Sequence, residues 1–321
     1  MNLAIEAEAL GKTYRGKTAL DGVSFGVSAG TVLGVLGPNG AGKTTTVRIL
    51  TTLLQADSGR ATVAGFDVRR QADQVRRNIG LSGQYAAVDN TLTGQENLVL
   101  LAKLQRFGRR GAVLRARQLL EQFDLVEAAA KPVGSYSGGM RRRLDLATAL
   151  IAAPSVLFLD EPTTGLDPTS RLTLWSMVRE QVASGVTVLL TTQYLEEADQ
   201  LADQLVVVDS GRVIAEGTPD QLKRKVGGER LEVSVLPQQS AQAVAALRPI
   251  ATGEPVISER GEKVTAQLVG GFDGVAAAAS ALRGAGVDVS DFAMRRPSLD
   301  DVFFHLTGPP TAGPASEGTK S

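Results

Sequence analysis

Eight consecutive residues, Gly37-Pro38-Asn39-Gly40-Ala41-Gly42-Lys43-Thr44, have the composition and spacing of a loop that grips phosphate. Its glycines let backbone N–H groups close around phosphate oxygens, and the helix that follows adds its positive end. Lys43 is placed to reach the β- and γ-phosphates of a nucleotide, Thr44 to ligate Mg2+, and Thr45 to extend the grip into the helix. A second element, Val156-Leu157-Phe158-Leu159-Asp160-Glu161, drives an apolar strand onto two carboxylates. Asp160 suits Mg2+, and Glu161 suits the orientation and deprotonation of an attacking water. Alone, that segment reads as a strand ending in a charged loop. With the phosphate loop upstream it points to ATP or GTP binding. A third element, Tyr136-Ser137-Gly138-Gly139-Met140, precedes a helix and forms a second anion-binding start. By itself it would pass for an ordinary helix cap.

The elements that must position these groups follow from hydrophobic patterning. Thr31–Leu36, Val156–Asp160, Val186–Thr191 and Leu205–Asp209 are continuous apolar runs, as in strands covered on both faces. They alternate with helix-like segments to about residue 217, which predicts an α/β domain around a largely parallel sheet. Ile5–Leu10, Val23–Val27 and Arg60–Val63 alternate more and suit an antiparallel subsheet. The helix after the phosphate loop is expected to run to about Leu54, and Asn97–Val133 reads as helical. Gly227-Gly228 marks a boundary. Beyond it a smaller α+β pattern runs through Leu231–Leu236, Ala241–Leu247, Lys263–Val269, Gly274–Leu282, Val287–Met294 and Asp300–Leu306, in an order resembling a ferredoxin-like unit. The expected domains are 1–226, with a helical subdomain at about 92–153, then 229–307, then a disordered Gly/Pro/Ala-rich tail at 308–321.

Composition narrows the function. The 321 residues carry 34 Lys+Arg against 34 Asp+Glu, so no global basic field points to nucleic acid. There is no cysteine and a single histidine, which excludes disulfides, thiolate chemistry and multi-histidine metal sites. The first residues lack the form of a signal peptide, and no apolar run approaches the ~20 residues that span a bilayer. A membrane role therefore has to come through a partner.

The three motifs, in this order, resemble the nucleotide-binding subunit of an ATP-binding-cassette (ABC) transporter over about residues 3–220. The resemblance implies a P-loop NTPase cassette with a RecA-like core, an antiparallel subsheet and a helical subdomain. It also implies ATP and Mg2+ as ligands. Tyr14 stands at the spacing of the aromatic that stacks on adenine. Gln84, in Leu81-Ser82-Gly83-Gln84-Tyr85, stands at the glutamine that contacts Mg2+ or water. Ser137, Gly138, Gly139 and Met140 stand at the signature that caps the ATP of a partner chain, although Tyr136 and Met140 depart from the usual leucine and glutamine. Asp167, in Thr164-Gly165-Leu166-Asp167, stands at the loop that crosses the dimer interface. With one cassette per chain, the implied active form is an ATP-dependent homodimer, or a heterodimer with a second cassette chain. A separate transmembrane permease holds it at the cytoplasmic face of the membrane.

One position departs from the family. Its cassettes usually place a histidine after the strand Val186–Thr192, where this chain has Gln193. An amide can donate to a γ-phosphate but does not titrate, so Glu161 carries the base role alone. The only histidine, His305, lies far from the motifs and reads as a packing or surface residue of the accessory domain. The runs Leu190–Asp199, Leu81–Asp89 and Tyr136–Asp145 are together similar to the daunorubicin/doxorubicin-resistance branch, whose members energise efflux of polyketide drugs or complex lipids, and Arg295–Phe303 resembles that branch's C-terminal segment. Two other readings remain open at this point: a soluble ATPase of the superfamily acting in translation or DNA repair, and a nucleotide-gated binding module. Arg141-Arg142-Arg143 reads as a solvated helix face or a support for the partner's nucleotide site.

Overall fold

The computed structural model describes residues 3–83, 88–226, 230–258, 260–268, 271–295 and 297–307. Gln84, the Gly227-Gly228 boundary and the tail 308–321 lie outside them, as does the side chain of His305. The chain divides into two compact units between Pro219 and Asp220.

The first unit begins with β1 (Leu3–Tyr14), β2 (Lys17–Ser28), β3 (Val32–Leu36), α1 (Lys43–Leu50), β4 (Ser58–Val63), β5 (Phe66–Asp67), α2 (Ala72–Asn78) and β6 (Ile79–Ser82). It continues with α3 (Gly94–Leu104), α4 (Arg109–Gln122), α5 (Gly138–Ala149), β7 (Val156–Asp160) and α6 (Pro168–Ala183). It ends with β8 (Thr187–Thr192), α7 (Leu195–Leu201), β9 (Gln204–Asp209) and β10 (Arg212–Gly217). An antiparallel sheet runs β2-β1-β4-β5, and a six-stranded sheet runs β10-β9-β3-β8-β7-β6, parallel except at β10.

The apolar runs are continuous because each inner strand feeds two cores. Leu157, Leu159, Val188 and Leu190 face the helical layer with Leu119, Phe123 and Leu144. Val156, Phe158 and Leu189 face the antiparallel sheet and α1, with Ile5, Phe25 and Ile49. Full burial of a side chain such as Phe158 contributes about 1.5–3 kcal/mol, which fixes the strand's register. That register decides the site. Leu36 pairs with Thr192 and Asp160 with Thr191, so β3, β7 and β8 end level with one another. The phosphate loop, Glu161 and Gln193 therefore leave the same sheet edge, at the carboxyl ends of its strands, where open α/β sheets place their ligands.

Some expected bounds shift. The helix after the phosphate loop stops at Leu50, not Leu54. Thr51 Oγ1 donates back to Val47 O at 2.8 Å and Thr52 turns into the left-handed region at φ 64°, which ends the helix. Asn97–Val133 is not one helix: Arg106, at φ 65°, and Gly108 break it into α3 and α4, and short 3-10 turns follow at Val126–Ala128 and Val133–Ser135.

Beginning one residue into α8 (Pro219–Val226), the second unit continues with β11 (Arg230–Val235), α9 (Ser240–Leu247), β12 (Val256–Ile257), β13 (Lys263–Gln267), α10 (Gly271–Gly284), β14 (Val289–Arg295) and α11 (Leu299–Thr307). Its antiparallel sheet is ordered β12-β13-β11-β14, the strand order of a split βαβ unit. Leu231, Val233 and Val235 alternate into a core with Ala243, Leu247 and Leu282.

Candidate nucleotide site

The loop between β3 and α1 is shaped by glycine. Gly40 and Gly42 sit at φ 83° and 109°, and the ideal Cβ of an alanine at Gly42 would lie 2.6 Å from Leu20 Cδ2 and 2.7 Å from Ala19 O. Within the loop, Ala41 N donates to Pro38 O at 3.2 Å, and Gly211 N ties Ala41 O to the β9–β10 turn at 3.0 Å. Lys43 folds back beneath this arch. Its Nζ donates to Gly37 O at 2.7 Å and Pro38 O at 3.1 Å and lies 3.4 Å from Glu161 Oε1, with only 4% of the side chain exposed. Asn39, Gly40, Lys43, Thr44, Thr45 and Glu161 line a cleft of about 200 Å3.

Thr44 and Asp160 meet across it. Thr44 Oγ1 donates to Asp160 Oδ1 at 3.2 Å, and Thr191 Oγ1 donates to the same oxygen at 2.5 Å. One hydroxyl and one buried carboxylate form a hard-oxygen donor set. It fits Mg2+ held mainly by phosphate and water, because so few protein ligands leave most of the coordination sphere to the substrate. Glu161 stands at φ 52°, in the left-handed region, at a cost of about 1–2 kcal/mol for a non-glycine residue. Its N–H donates to Thr191 O at 3.0 Å and approaches Thr191 Oγ1 at 3.2 Å, which braces that turn. Thr191 thus orients both carboxylate residues, a role that its place inside an apolar run does not reveal.

The segments expected to form the signature and the interface loop converge elsewhere. Ser137 caps α5, accepting from Met140 N at 3.2 Å. Asp167 caps α6, accepting from Ser170 N at 3.0 Å and Ser170 Oγ at 2.6 Å, and these bonds hold its carboxyl below the usual range. Gly139 lets the two helix starts approach, since a Cβ there would lie 2.5 Å from Ser170 Oγ. Space beside Gly138 is open. Ser137, Gly139, Met140 and Ser170 line their own hollow of about 230 Å3, distinct from the Lys43 cleft. Gln193 is half-buried between β8 and α7. Tyr14 ends β1 with 42% of its surface exposed, and the Lys12 ammonium lies 5.8 Å from the ring centroid. Gln84 lies outside the described residues, but the preceding Gly83 is held.

What holds it corrects the reading of the arginine run as a solvated face. Arg142 is only 15% exposed. Its Nε donates to Pro162 O at 2.5 Å, and its Nη1 donates to Gly83 O at 2.7 Å and Asp145 Oδ2 at 3.2 Å. Ser82 Oγ donates to Asp145 Oδ2 at 2.5 Å. One guanidinium therefore ties the segment before Gln84 to the segment after Glu161. Arg143 Nη1 likewise donates to Phe123 O and to Asp124 O and Oδ2. Nearby, Glu197 is fully buried, and desolvation raises its pKa against the opposing pull of Thr192, Thr163, Trp175 and Arg142. Removing one partner of a buried pair costs about 3–5 kcal/mol, so Arg142→Met is expected to lower unfolding free energy by that order in urea titration. A loss below about 0.5 kcal/mol, as for an exposed residue, would restore the solvated-face reading.

Comparison with known proteins agrees with this architecture. A family model described as ABC transporter matches residues 20–164, and one described as ATP-binding protein DrrA1-3-like, C-terminal domain, matches residues 217–307. The chain is 56% identical to the daunorubicin resistance ATP-binding protein DrrA2 of Streptomyces coeruleorubidus, over 95% of each chain. It is 45% identical to the doxorubicin resistance ATP-binding protein DrrA of Mycobacterium tuberculosis, over 97% of this chain and 95% of the relative. It is 44% identical to the Nod factor export ATP-binding protein I of Ralstonia nicotianae, over 71% and 72%. Among solved structures, an ATP-binding subunit of an ABC transporter aligns with TM-score 0.62 at 29% identity, covering 70% of this chain and 93% of that one. The cbiO1 protein of Clostridium perfringens, part of the ABC transporter complex cbiONQ, aligns at 0.64 and 26%, covering 70% and 95%.

Proposed function

Because the chain belongs to the ATP-binding subunits of ABC transporters, we propose that this exporter ATPase drives efflux of a hydrophobic, polyketide-type drug or a complex lipid through a separate permease. Full-length similarity to daunorubicin and doxorubicin resistance proteins supports the drug reading, and similarity to Nod factor export proteins supports the direction of transport, export. The observation that carries the catalytic part is the meeting of Lys43, Thr44, Asp160 and Glu161 at one sheet edge.

In this reading the loop N–H groups and Lys43 hold the β- and γ-phosphates, and Tyr14 stacks on the adenine. Thr44, Asp160 and Gln84 would hold Mg2+, which supplies neutralising charge on the phosphates when bound. Glu161 takes a proton from water as the water oxygen bonds to the γ-phosphorus, and the bond to the β–γ bridging oxygen breaks to release ADP. Gln193 donates its amide N–H to a γ-phosphate oxygen. The signature Ser137–Met140 opens a second hollow, away from the Lys43 cleft, and this separation supports a head-to-tail homodimer. There each chain's signature caps the partner's ATP and Asp167 crosses the interface. Binding then closes the pair and hydrolysis releases it. No described helix is long and apolar enough to cross a membrane. In this reading the separate permease carries the cargo and holds the dimer at the cytoplasmic face.

The test is doxorubicin efflux from cells co-expressing the chain and a permease from its own gene neighbourhood, with ATPase activity measured on the purified pair. Efflux and permease-stimulated turnover are expected. Turnover indifferent to the permease would sink the proposal. At the switch position, Gln193→Ala should lower kcat about tenfold or more with little change in nucleotide affinity. Gln193→His should retain turnover and add a titration near pH 6.5 that the native enzyme lacks. Equal kcat for the native enzyme and Gln193→Ala would assign the amide no part.

A further inference from the structure

The helical hairpin α3–α4 carries charge that the nucleotide site does not use. From Asn97 to Leu120 the sequence contains six cations, Lys103, Arg106, Arg109, Arg110, Arg115 and Arg117, and no carboxylate, in a chain whose cations and anions balance overall. Arg115 is consumed internally, donating to Leu150 O and Ile151 O. Arg117 pairs with the exposed Glu121 at 3.0 Å. Lys103, Arg106, Arg109 and Arg110 are exposed and make no ion pair among the described residues.

Large aliphatic side chains stand beside them. Leu104 is 71% exposed and Leu114 60%, and Leu100 and Val113 are exposed as well. On α4 the residues Arg110, Val113, Leu114 and Arg117 recur at i, i+3, i+4 and i+7, which makes one face. The opposite face, Ala112, Ala116, Leu119 and Leu120, is buried in the helical core. Leu100 and Leu104 share a face of α3 by the same spacing. An open hollow of about 560 Å3 lies against the α4 face, with Val113 and Leu114 between Arg109, Arg110 and Arg117.

We propose that this hairpin docks on the anionic lipid headgroups of the membrane that holds the permease, an inference that rests on the transporter reading above. Unpaired arginines around exposed leucines match a surface that is anionic outside and apolar just below. The membrane-proximal cytoplasmic loops of a permease are enriched in Lys and Arg, which makes anionic headgroups the better match for a face with no carboxylate. Single-stranded nucleic acid would call for exposed aromatic rings, and the hairpin's one aromatic, Phe107, is partly buried in the core. Lipid contact would supplement the permease contact and limit how far the cassette can tilt from the membrane.

The full chain, without permease, is tested by co-sedimentation with vesicles of phosphatidylcholine alone or mixed with phosphatidylglycerol. Binding to the mixed vesicles is expected, weakening as salt rises, with little binding to the neutral ones. Each exposed cation near such a surface is worth about fivefold in partition, so Arg109→Gln/Arg110→Gln should lose about 25-fold. Leu104→Ser/Leu114→Ser should lose binding while retaining all the charge. Both variants keep the native ATPase rate in the absence of vesicles, which shows that they are folded. Equal binding to the two vesicle types, or no loss in the arginine variant, overturns the proposal. So does an arginine variant that keeps vesicle binding but no longer co-purifies with the permease, which would make the face a protein dock. Permease stimulation measured in detergent separates the two readings. Its absence counts against the transporter reading, whereas its presence with no vesicle binding overturns only the lipid dock.

Discussion

Glu161→Gln is expected to lower kcat for ATP hydrolysis by about 10²–10⁴-fold, the range for loss of a general base. Nucleotide binding should persist. The amide keeps the side chain's length, so the left-handed turn at φ 52° and its two contacts with Thr191 remain as they are. What changes is the charge 3.4 Å from Lys43 Nζ. In the proposed site the native carboxylate would compete with a γ-phosphate for that ammonium. Its removal therefore leaves affinity for ATP equal or higher while the proton acceptor is gone. ATP-dependent dimers should accumulate, visible as a shift in sedimentation on adding ATP that persists because nothing reverses it. Single-turnover kinetics beside equilibrium nucleotide titration check both halves. Near-native hydrolysis would remove Glu161 from the base role. Loss of binding would instead give the carboxylate a structural role at the loop.

How far the chain could be read without coordinates depended on the range of the interactions involved. β3, β7 and β8 were legible because each is apolar on both faces, feeding Leu157 and Leu159 to one core and Phe158 to the other. The edge strands β6, β10 and β12 were not. Each lies at the edge of its sheet, has one strand neighbour and needs no continuous apolar run. In the site, residues inside one contiguous motif could be named, because Gly42, Lys43 and Thr44 take their positions from one loop and one helix start. Contacts that reach across the chain had no such signal. Arg142 meets Gly83 O, 59 residues away, and Pro162 O, 20 residues away. Nothing in the run Arg141-Arg142-Arg143 distinguishes the buried guanidinium from a solvated one. Thr191 was hidden for a related reason. A threonine at the end of an apolar strand is ordinary, and only the pairing of Asp160 with Thr191 brings its hydroxyl to the carboxylate.

Gly42→Ala is expected to abolish turnover and lower stability by about 2–4 kcal/mol, because two separate penalties meet there. At φ 109° the backbone lies outside the ordinary left-handed well, so any side chain is strained whatever the space. The added Cβ would also meet Ala19 O at 2.7 Å, a backbone atom of β2 that no rotamer change can move aside. The loop must then open. Because Gly42 is the N-cap of α1, opening it moves the N–H groups proposed to face the phosphates and the base of Lys43 together. Gly40→Ala separates the two causes. Gly40 is at φ 83°, but nothing lies within 4 Å of its Cβ position, so only the conformational penalty applies, about 1 kcal/mol. That variant should fold nearly as well as the native chain and bind nucleotide more weakly without losing it. Urea midpoints and nucleotide titrations on the two proteins read both effects. Equal losses would mean that crowding against β2 does not set the loop's shape. A large difference would identify the Ala19 contact as the constraint that keeps Lys43 beneath the phosphate arch.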